Sequence, residues 1–202
     1  MLILVRHGES VWNASDRFAG CADVGLTEAG RGEARSCGRW LREQGIIPTR
    51  AHASMLARAS DSAHLILDAC GASSVPLLRT GRLNERHYGL LQGMRRADAV
   101  ERFGPERVAS WRRGIDSRPP ADRQGRGESL ADVRLRLRPY LQRQLIPALA
   151  AGHRVLVVSH GNALRMLVQL VQGLSDEEAC ALQVPTGAPR LYENLTDCLR
   201  AG

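Results

Sequence analysis

Lysine is missing from this chain of 202 residues: all 28 of its basic side chains are arginine, and against 21 acidic residues they leave a formal charge of +7. A coding bias toward arginine gives such a composition, and so does a need for planar guanidinium forks that grip anions; composition leaves both open. Aromatic residues are scarce at 4% and the arginines are scattered along the chain. A nucleic-acid partner is therefore not expected, because it calls for a basic stripe with aromatic platforms. No run approaches the roughly 18 apolar residues of a membrane-spanning helix, and the apolar run before Arg6 is too short for a secretion signal. The five cysteines, Cys21, Cys37, Cys70, Cys180 and Cys198, are odd in number, widely spaced and without a CxxC pair. Neither a disulfide framework nor a zinc site is expected from them. These absences predict a cytoplasmic protein with no membrane segment.

What is present suits a globular enzyme-sized unit: 44% hydrophobic and 24% charged residues, read as one domain over 1–202. MLILV and VLVVSH (155–160) are buried, β-branched strand runs, AHAS (51–54) is a weaker strand, and SVPLL (74–78) another. Thr27 caps a helix with Ala34, Cys37 and Leu41 on one face, and a second helix covers 55–69 with Ala59, Ala63, Ile66 and Ala69 inward. Leu130, Val133, Leu137 and Leu141 mark a long helix over 129–150 that Pro139 kinks or restarts. SDEE gives a capping box from Ser175 to Glu178. The segment 114–128, rich in Gly, Pro, Arg and Asp, reads as a loop. Strands alternating with helices predict an α/β fold with a mostly parallel sheet, whose sites lie at the carboxyl ends of the strands.

Two of those strand runs end alike, in His-Gly: LVRHGES at 4–10 and SHGN at 159–162. Alone, His7 reads as a satisfied strand-end histidine, since a bare Arg-His-Gly is a weak signal. If the two strands are sheet neighbours, Arg6, His7 and His160 share one crevice, with the helix that starts near Asn162 aiming its free N–H groups into it. That crevice would hold an anion.

The stretches VRHGESVWN, SMLARA, LNERHYGLLQG, WRR followed by PP, GESL, SHGNALR and VPTGAP occur in this order over nearly the whole chain. They resemble the histidine phosphatase superfamily and, within it, the cofactor-dependent phosphoglycerate mutases, with LNERHYG the most specific stretch. The resemblance implies a three-layer α/β/α fold of the phosphoglycerate mutase type and a phosphoryl group carried on His7. Attack needs a neutral imidazole, with one ring nitrogen fixed by an acceptor such as a backbone carbonyl. Arg6, Arg58 and His160 would clamp the transferring group, and Glu85 would handle the proton of the substrate hydroxyl. A phosphoryl dianion nearby would raise the Glu85 pKa; a plain pairing of Glu85 with Arg86 is the alternative. Arg112 and Arg113, otherwise readable as a solvated face, would grip the substrate carboxylate or distal phosphate together with Arg86, Tyr88 and Arg96. Asn13, Gly161 and Asn162 would bond phosphate oxygens, with Ser10 and the Gly20 backbone assisting. Gly8, Glu9 and His87, within the same motifs, and Ala19, in the RFAG stretch at 17–20, complete the candidate binding set.

The implied reaction interconverts 3-phosphoglycerate and 2-phosphoglycerate, primed by 2,3-bisphosphoglycerate. No metal is expected, since no His, Asp and Glu cluster has ligand spacing. Phosphoglycerates are the expected partners. A homodimer is common among relatives, and the short chain leaves a monomer open. Three departures bear on this reading: Ala19 stands where the family has threonine, Arg96 replaces a lysine, and the loop 114–128 is shorter than in many relatives. The sequence also stops at Gly202 without the basic tail of longer members, from which more loss of phosphoryl to water is expected. The alternatives are a phosphatase on the same scaffold, with water as acceptor, and a non-catalytic phospho-ligand or nucleic-acid binding module. The last has no use for a nucleophile or a proton carrier.

Overall fold

A computed structural model describes residues 1–193; Cys198 and the chain end at Gly202 lie outside the described residues. In chain order the elements are β1 (Leu2–Arg6), α1 (Val11–Ala14), α2 (Glu28–Glu43), β2 (Arg50–Ser54), α3 (Ala57–Cys70) and β3 (Leu77–Thr80). They continue through α4 (Arg96–Phe103), α5 (Pro105–Arg113), α6 (Leu130–Tyr140), α7 (Ile146–Ala150), β4 (Val155–Ser159), α8 (Gly161–Gln172), α9 (Asp176–Ala181) and β5 (Pro189–Tyr192). The sheet runs β3-β2-β4-β1-β5, parallel except for β5, which pairs antiparallel with β1.

Strand alternation sorts the apolar residues into two layers. Leu2 and Leu4, with Val155 and Val157, face α6, α7 and α8; Ile3 and Val5, with Leu156 and Val158, face α2 and α3. The fold is thus α/β/α with a mostly parallel sheet, as expected. Buried on both faces, β1 is apolar from Leu2 to Val5 and β4 from Val155 to Val158, which is why they read as unbroken runs. Helices α2 and α3 approach closely at Gly38, where a Cβ would lie 2.5 Å from the Ile66 carbonyl oxygen. A satellite cluster of Phe18, Leu91, Ala99 and Val108, joined by Tyr88 and Trp111, seats α4 and α5 over the carboxyl ends of the strands.

The caps fall where the residues place them: Thr27 accepts from Gly30 N–H, and Ser175 and Glu178 form a capping box. Three boundaries differ from expectation. The strand expected at 74–78 is Leu77–Thr80, because Pro76 lacks a ladder donor and the preceding residues turn, Val75 N–H bonding to Ala72 O. The helix expected over 55–69 starts at Ala57, with Leu56 as its N-cap, and ends at Cys70. The long helix over 129–150 runs through Pro139 and widens into a π turn at Leu141–Leu145, where Ile146 N–H reaches back to Leu141 O. Pro147 follows immediately, and the widened turn accommodates a residue that can neither donate nor tolerate a carbonyl four positions earlier. The segment 114–128 is a loop, pinned by Arg118 to Asp132 and by Arg126 to Asp122. Among the described residues no helix is long and apolar enough to cross a membrane.

Candidate active site

Strands β1 and β4 are adjacent and parallel, with Arg6 opposite Ser159, so the chain leaves both strands at the same level. His7 N–H donates to Ser159 O at 3.0 Å, and the rings of His7 and His160 meet edge to face with centroids 4.9 Å apart. Helix α8 starts at Gly161, so its free N–H groups open onto the same crevice.

His7 is 3% exposed, and its Nδ1 lies 2.7 Å from the Gly8 carbonyl oxygen. A carbonyl only accepts, so Nδ1 carries the hydrogen and the lone pair sits on Nε2. That lone pair accepts from Arg58 Nε at 3.3 Å. Burial pushes the His7 pKa well below its ordinary value, the Arg58 and Arg6 charges push it further down, and the Gly8 bond opposes them. The ring is neutral, with Nε2 unprotonated and held only by the long bond from Arg58 that an incoming phosphoryl group would displace, the state an imidazole nucleophile requires.

The arginines around it are held by carbonyls, not by carboxylates. Arg58, on the first turn of α3, donates to Gly20 O and Ala22 O, each at 2.7 Å, and Arg6 donates to Val184 O at 2.9 Å. Carbonyls fix a guanidinium without neutralising it. The cleft is lined by Arg6, Arg17, Arg58, Arg96, Arg112, Arg113 and Arg165, and among the described residues by a single carboxylate, Glu85. Burial, chiefly, lowers the pKa values of Arg6, Arg58 and Arg112; Arg165 falls to about 10, by burial and then the Arg113 charge. A bound anion relieves that crowding.

Glu85 is held from two sides, Oε1 accepting from Arg86 N–H at 2.9 Å and Oε2 from Asn162 N–H at 3.3 Å. The Asn162 side chain donates to Tyr88 Oη at 3.0 Å and accepts from Arg165 Nη1 at 2.6 Å. Asn13, Ala19, Gly20, Tyr88, Arg96, Arg112, Arg113, Gly161 and Asn162 all line the cleft beside His7. His160, fully buried, backs it through the His7 ring and places Nε2 2.7 Å from Ser54 Oγ.

The other expected residues stand elsewhere. Arg86 is fully buried, donates to the Trp111 carbonyl and lies 4.5 Å from the Tyr88 ring centroid. It ties α5 to the 85–88 segment, and its tie to Glu85 is through backbone N–H, not an ion pair. His87 faces Asp122 at 3.6 Å and accepts from Gly89 N–H. Gly8 permits contact with α2, since a Cβ there would meet Gly30 O at 2.0 Å. Glu9 accepts from Thr27 Oγ1, and Ser10 caps α1 by accepting from Asn13 N–H. These five shape the walls without facing the cleft. Arg17, Phe18 and Arg165 do face it and were not anticipated. The signal for Arg165 was its place three residues after Asn162 on α8, on the same helix face; Arg17 and Phe18 sit beside Ala19.

The family model of the histidine phosphatase superfamily (branch 1) matches residues 2–192. A 2,3-bisphosphoglycerate-dependent phosphoglycerate mutase of Nocardioides sp. is 43% identical over 211 residues, covering 95% of this chain and 85% of that protein. The enzyme of the same name from Mycobacterium leprae is 43% identical over 210 residues, covering 95% and 85%. Among solved structures, a mycobacterial glucosyl-3-phosphoglycerate phosphatase in complex with VO3 superposes with a TM-score of 0.77 at 27% identity, covering 92% of this chain and 88% of that one.

Proposed function

The chain belongs to the histidine phosphatase superfamily, and on that premise we propose that it is a phosphoglycerate mutase that moves a phosphoryl group between phosphoglycerate oxygens through phospho-His7. One observation carries the reading: a neutral, oriented imidazole opens onto a cleft of arginines of which only Arg96 is paired with a carboxylate, Asp16 at its rim, and in which Glu85 is the one lining carboxylate among the described residues. Phosphate alone needs fewer cations than this. A ligand with a second anionic group explains Arg96, Arg112 and Arg113 at the mouth.

In this reading His7 Nε2 attacks phosphorus in line as the bond to the leaving oxygen breaks, and Glu85 delivers a proton to that oxygen. In the reverse transfer Glu85 takes the proton from the acceptor hydroxyl, the oxygen bonds to phosphorus, and the P–Nε2 bond breaks. Arg6, Arg58 and the start of α8 stabilise charge on the equatorial oxygens, where a loose transition state gains most. Asn13 and Asn162 orient those oxygens. The residues present fit 2,3-bisphosphoglycerate, since a bis-anion meets cations at both ends of the cleft; when bound it supplies the phosphoryl group that charges His7. The names and 43% identity of the curated relatives support the same substrates.

A phosphatase on this scaffold is the second reading, favoured by the solved phosphatase and by Ala19, whose methyl offers the cleft no hydroxyl. The test is to charge the enzyme with radiolabelled 2,3-bisphosphoglycerate and chase it with 3-phosphoglycerate or with buffer. Acid-labile label that passes to phosphoglycerate is expected; label that leaves only as phosphate, at equal rates in both chases, would select the phosphatase.

A further inference from the structure

Strands β2, β4 and β1 lie side by side, and their carboxyl ends carry Ser54, His160 and His7 in that order. Ser54 and His160 are both fully buried, with Ser54 Oγ 2.7 Å from His160 Nε2. The same oxygen accepts from Leu56 N–H at 3.1 Å. Among the described residues no other acceptor takes the Ser54 hydroxyl hydrogen, and His160 Nδ1 has no hydrogen-bond partner.

The two tautomers of His160 differ in what they strand. With hydrogen on Nε2, Ser54 accepts twice, and both its own hydrogen and the Nδ1 lone pair are left unpaired in a buried site. With hydrogen on Nδ1, Ser54 donates to Nε2 and accepts from Leu56, and only Nδ1–H is left. Each stranded buried group costs free energy, so the second tautomer is favoured, and its one orphan is a donor. We propose that Ser54 is a positioning residue for phosphoryl transfer: its hydroxyl fixes His160 as the Nδ1–H tautomer, so that a neutral imidazole offers a donor beside the nucleophile. His7 and His160 then share one tautomer with opposite presentation. His7 spends Nδ1–H on Gly8 and shows a lone pair; His160 spends its lone pair on Ser54 and shows Nδ1–H. Burial, with the Arg58 charge next, keeps His160 neutral.

The role, though not the tautomer, rests on the transfer reading. The test uses 15N-histidine-labelled full-length protein without ligand, with His160 assigned by comparison with His160→Gln. Long-range 1H–15N spectra should show His160 Nε2 unprotonated and Nδ1 protonated. In Ser54→Ala that pattern should collapse to a mixture or invert, and phosphoenzyme formation should slow about tenfold with KM unchanged, as the loss of one orienting bond implies; Ser54→Thr should restore both. A protonated Nε2 in the wild type, or an unaltered tautomer in Ser54→Ala, overturns the proposal with the transfer reading intact. A correct tautomer in a wild type that forms no phosphoenzyme overturns the role together with that reading. Should Ser54→Ala fail to fold, the wild-type spectrum and Ser54→Thr decide.

Discussion

At the deep end of the cleft His7, Arg58 and His160 are 3%, 1% and 0% exposed, and strand register and backbone carbonyls fix them. At the mouth Arg96, Arg112 and Arg113 are half-buried, on short helices seated by a small satellite cluster. Arg96 pairs there with Asp16 at 2.8 Å, an exposed contact that a ligand can replace at little cost. The deep end is thus pre-organised by contacts within the protein, whereas the mouth is held by fewer and more exposed ones. In the proposed reading, the first region carries the chemistry and the second the choice of acceptor.

Substitutions at the deep end should therefore act on kcat, and those at the mouth on KM and product ratio. The largest effect belongs to His7→Gln, which keeps a side-chain acceptor but no nucleophile: turnover should fall by about 10⁴-fold or more, with no acid-labile phosphoenzyme. Label retained in that variant would remove the basis for the contrast. Next is Glu85→Gln, which should slow transfer by about 10²- to 10⁴-fold while inorganic phosphate binds as before, measured by single-turnover quench and phosphate titration. Equal losses in binding and transfer would make Glu85 part of the anion clamp instead. Arg112→Ala, at the mouth, should raise KM for phosphoglycerate by about tenfold to a hundredfold and increase the share of free phosphate, with phosphoenzyme formation little changed. A kcat effect as large as that of Glu85→Gln would erase the division between the two regions.

The smallest prediction concerns the strand that supports the deep end. His52 on β2 bonds to Tyr140 Oη at 2.7 Å, and burial, with the Arg50 charge second, lowers its pKa to about 4. The unfolded chain takes up that proton near pH 6.5 and the folded one only near 4. The stabilisation is thus complete above about pH 6.5 and lost as pH falls toward 4, about 3 kcal/mol in all. Urea midpoints at pH 7 and pH 4 should differ less in His52→Gln than in the wild type, and identical pH slopes would rule His52 out as the source.

The deep end was also the part legible in the sequence. Runs that are apolar on both faces mark β1 and β4, and the His-Gly at each end becomes a site because parallel register delivers both histidines to one level. Thr27 and Ser175 announce helix starts by local chemistry that tertiary contacts do not override. The mouth was less legible, because the direction of an arginine there depends on how α5 docks. Arg86 lies two residues from Tyr88 yet turns inward to Trp111, while Arg165, unremarkable in SHGNALR, reaches the cleft through Asn162. The antiparallel edge strand β5, four residues with a proline at its start, carries too little pattern to be recognised alone.

The measurement that tests the account most directly supplies 3-phosphoglycerate, a trace of 2,3-bisphosphoglycerate and a chelator to the purified protein, and follows 2-phosphoglycerate and free phosphate together. The account predicts 2-phosphoglycerate forming to equilibrium with phosphate as a minor product. Phosphate release without 2-phosphoglycerate would contradict it.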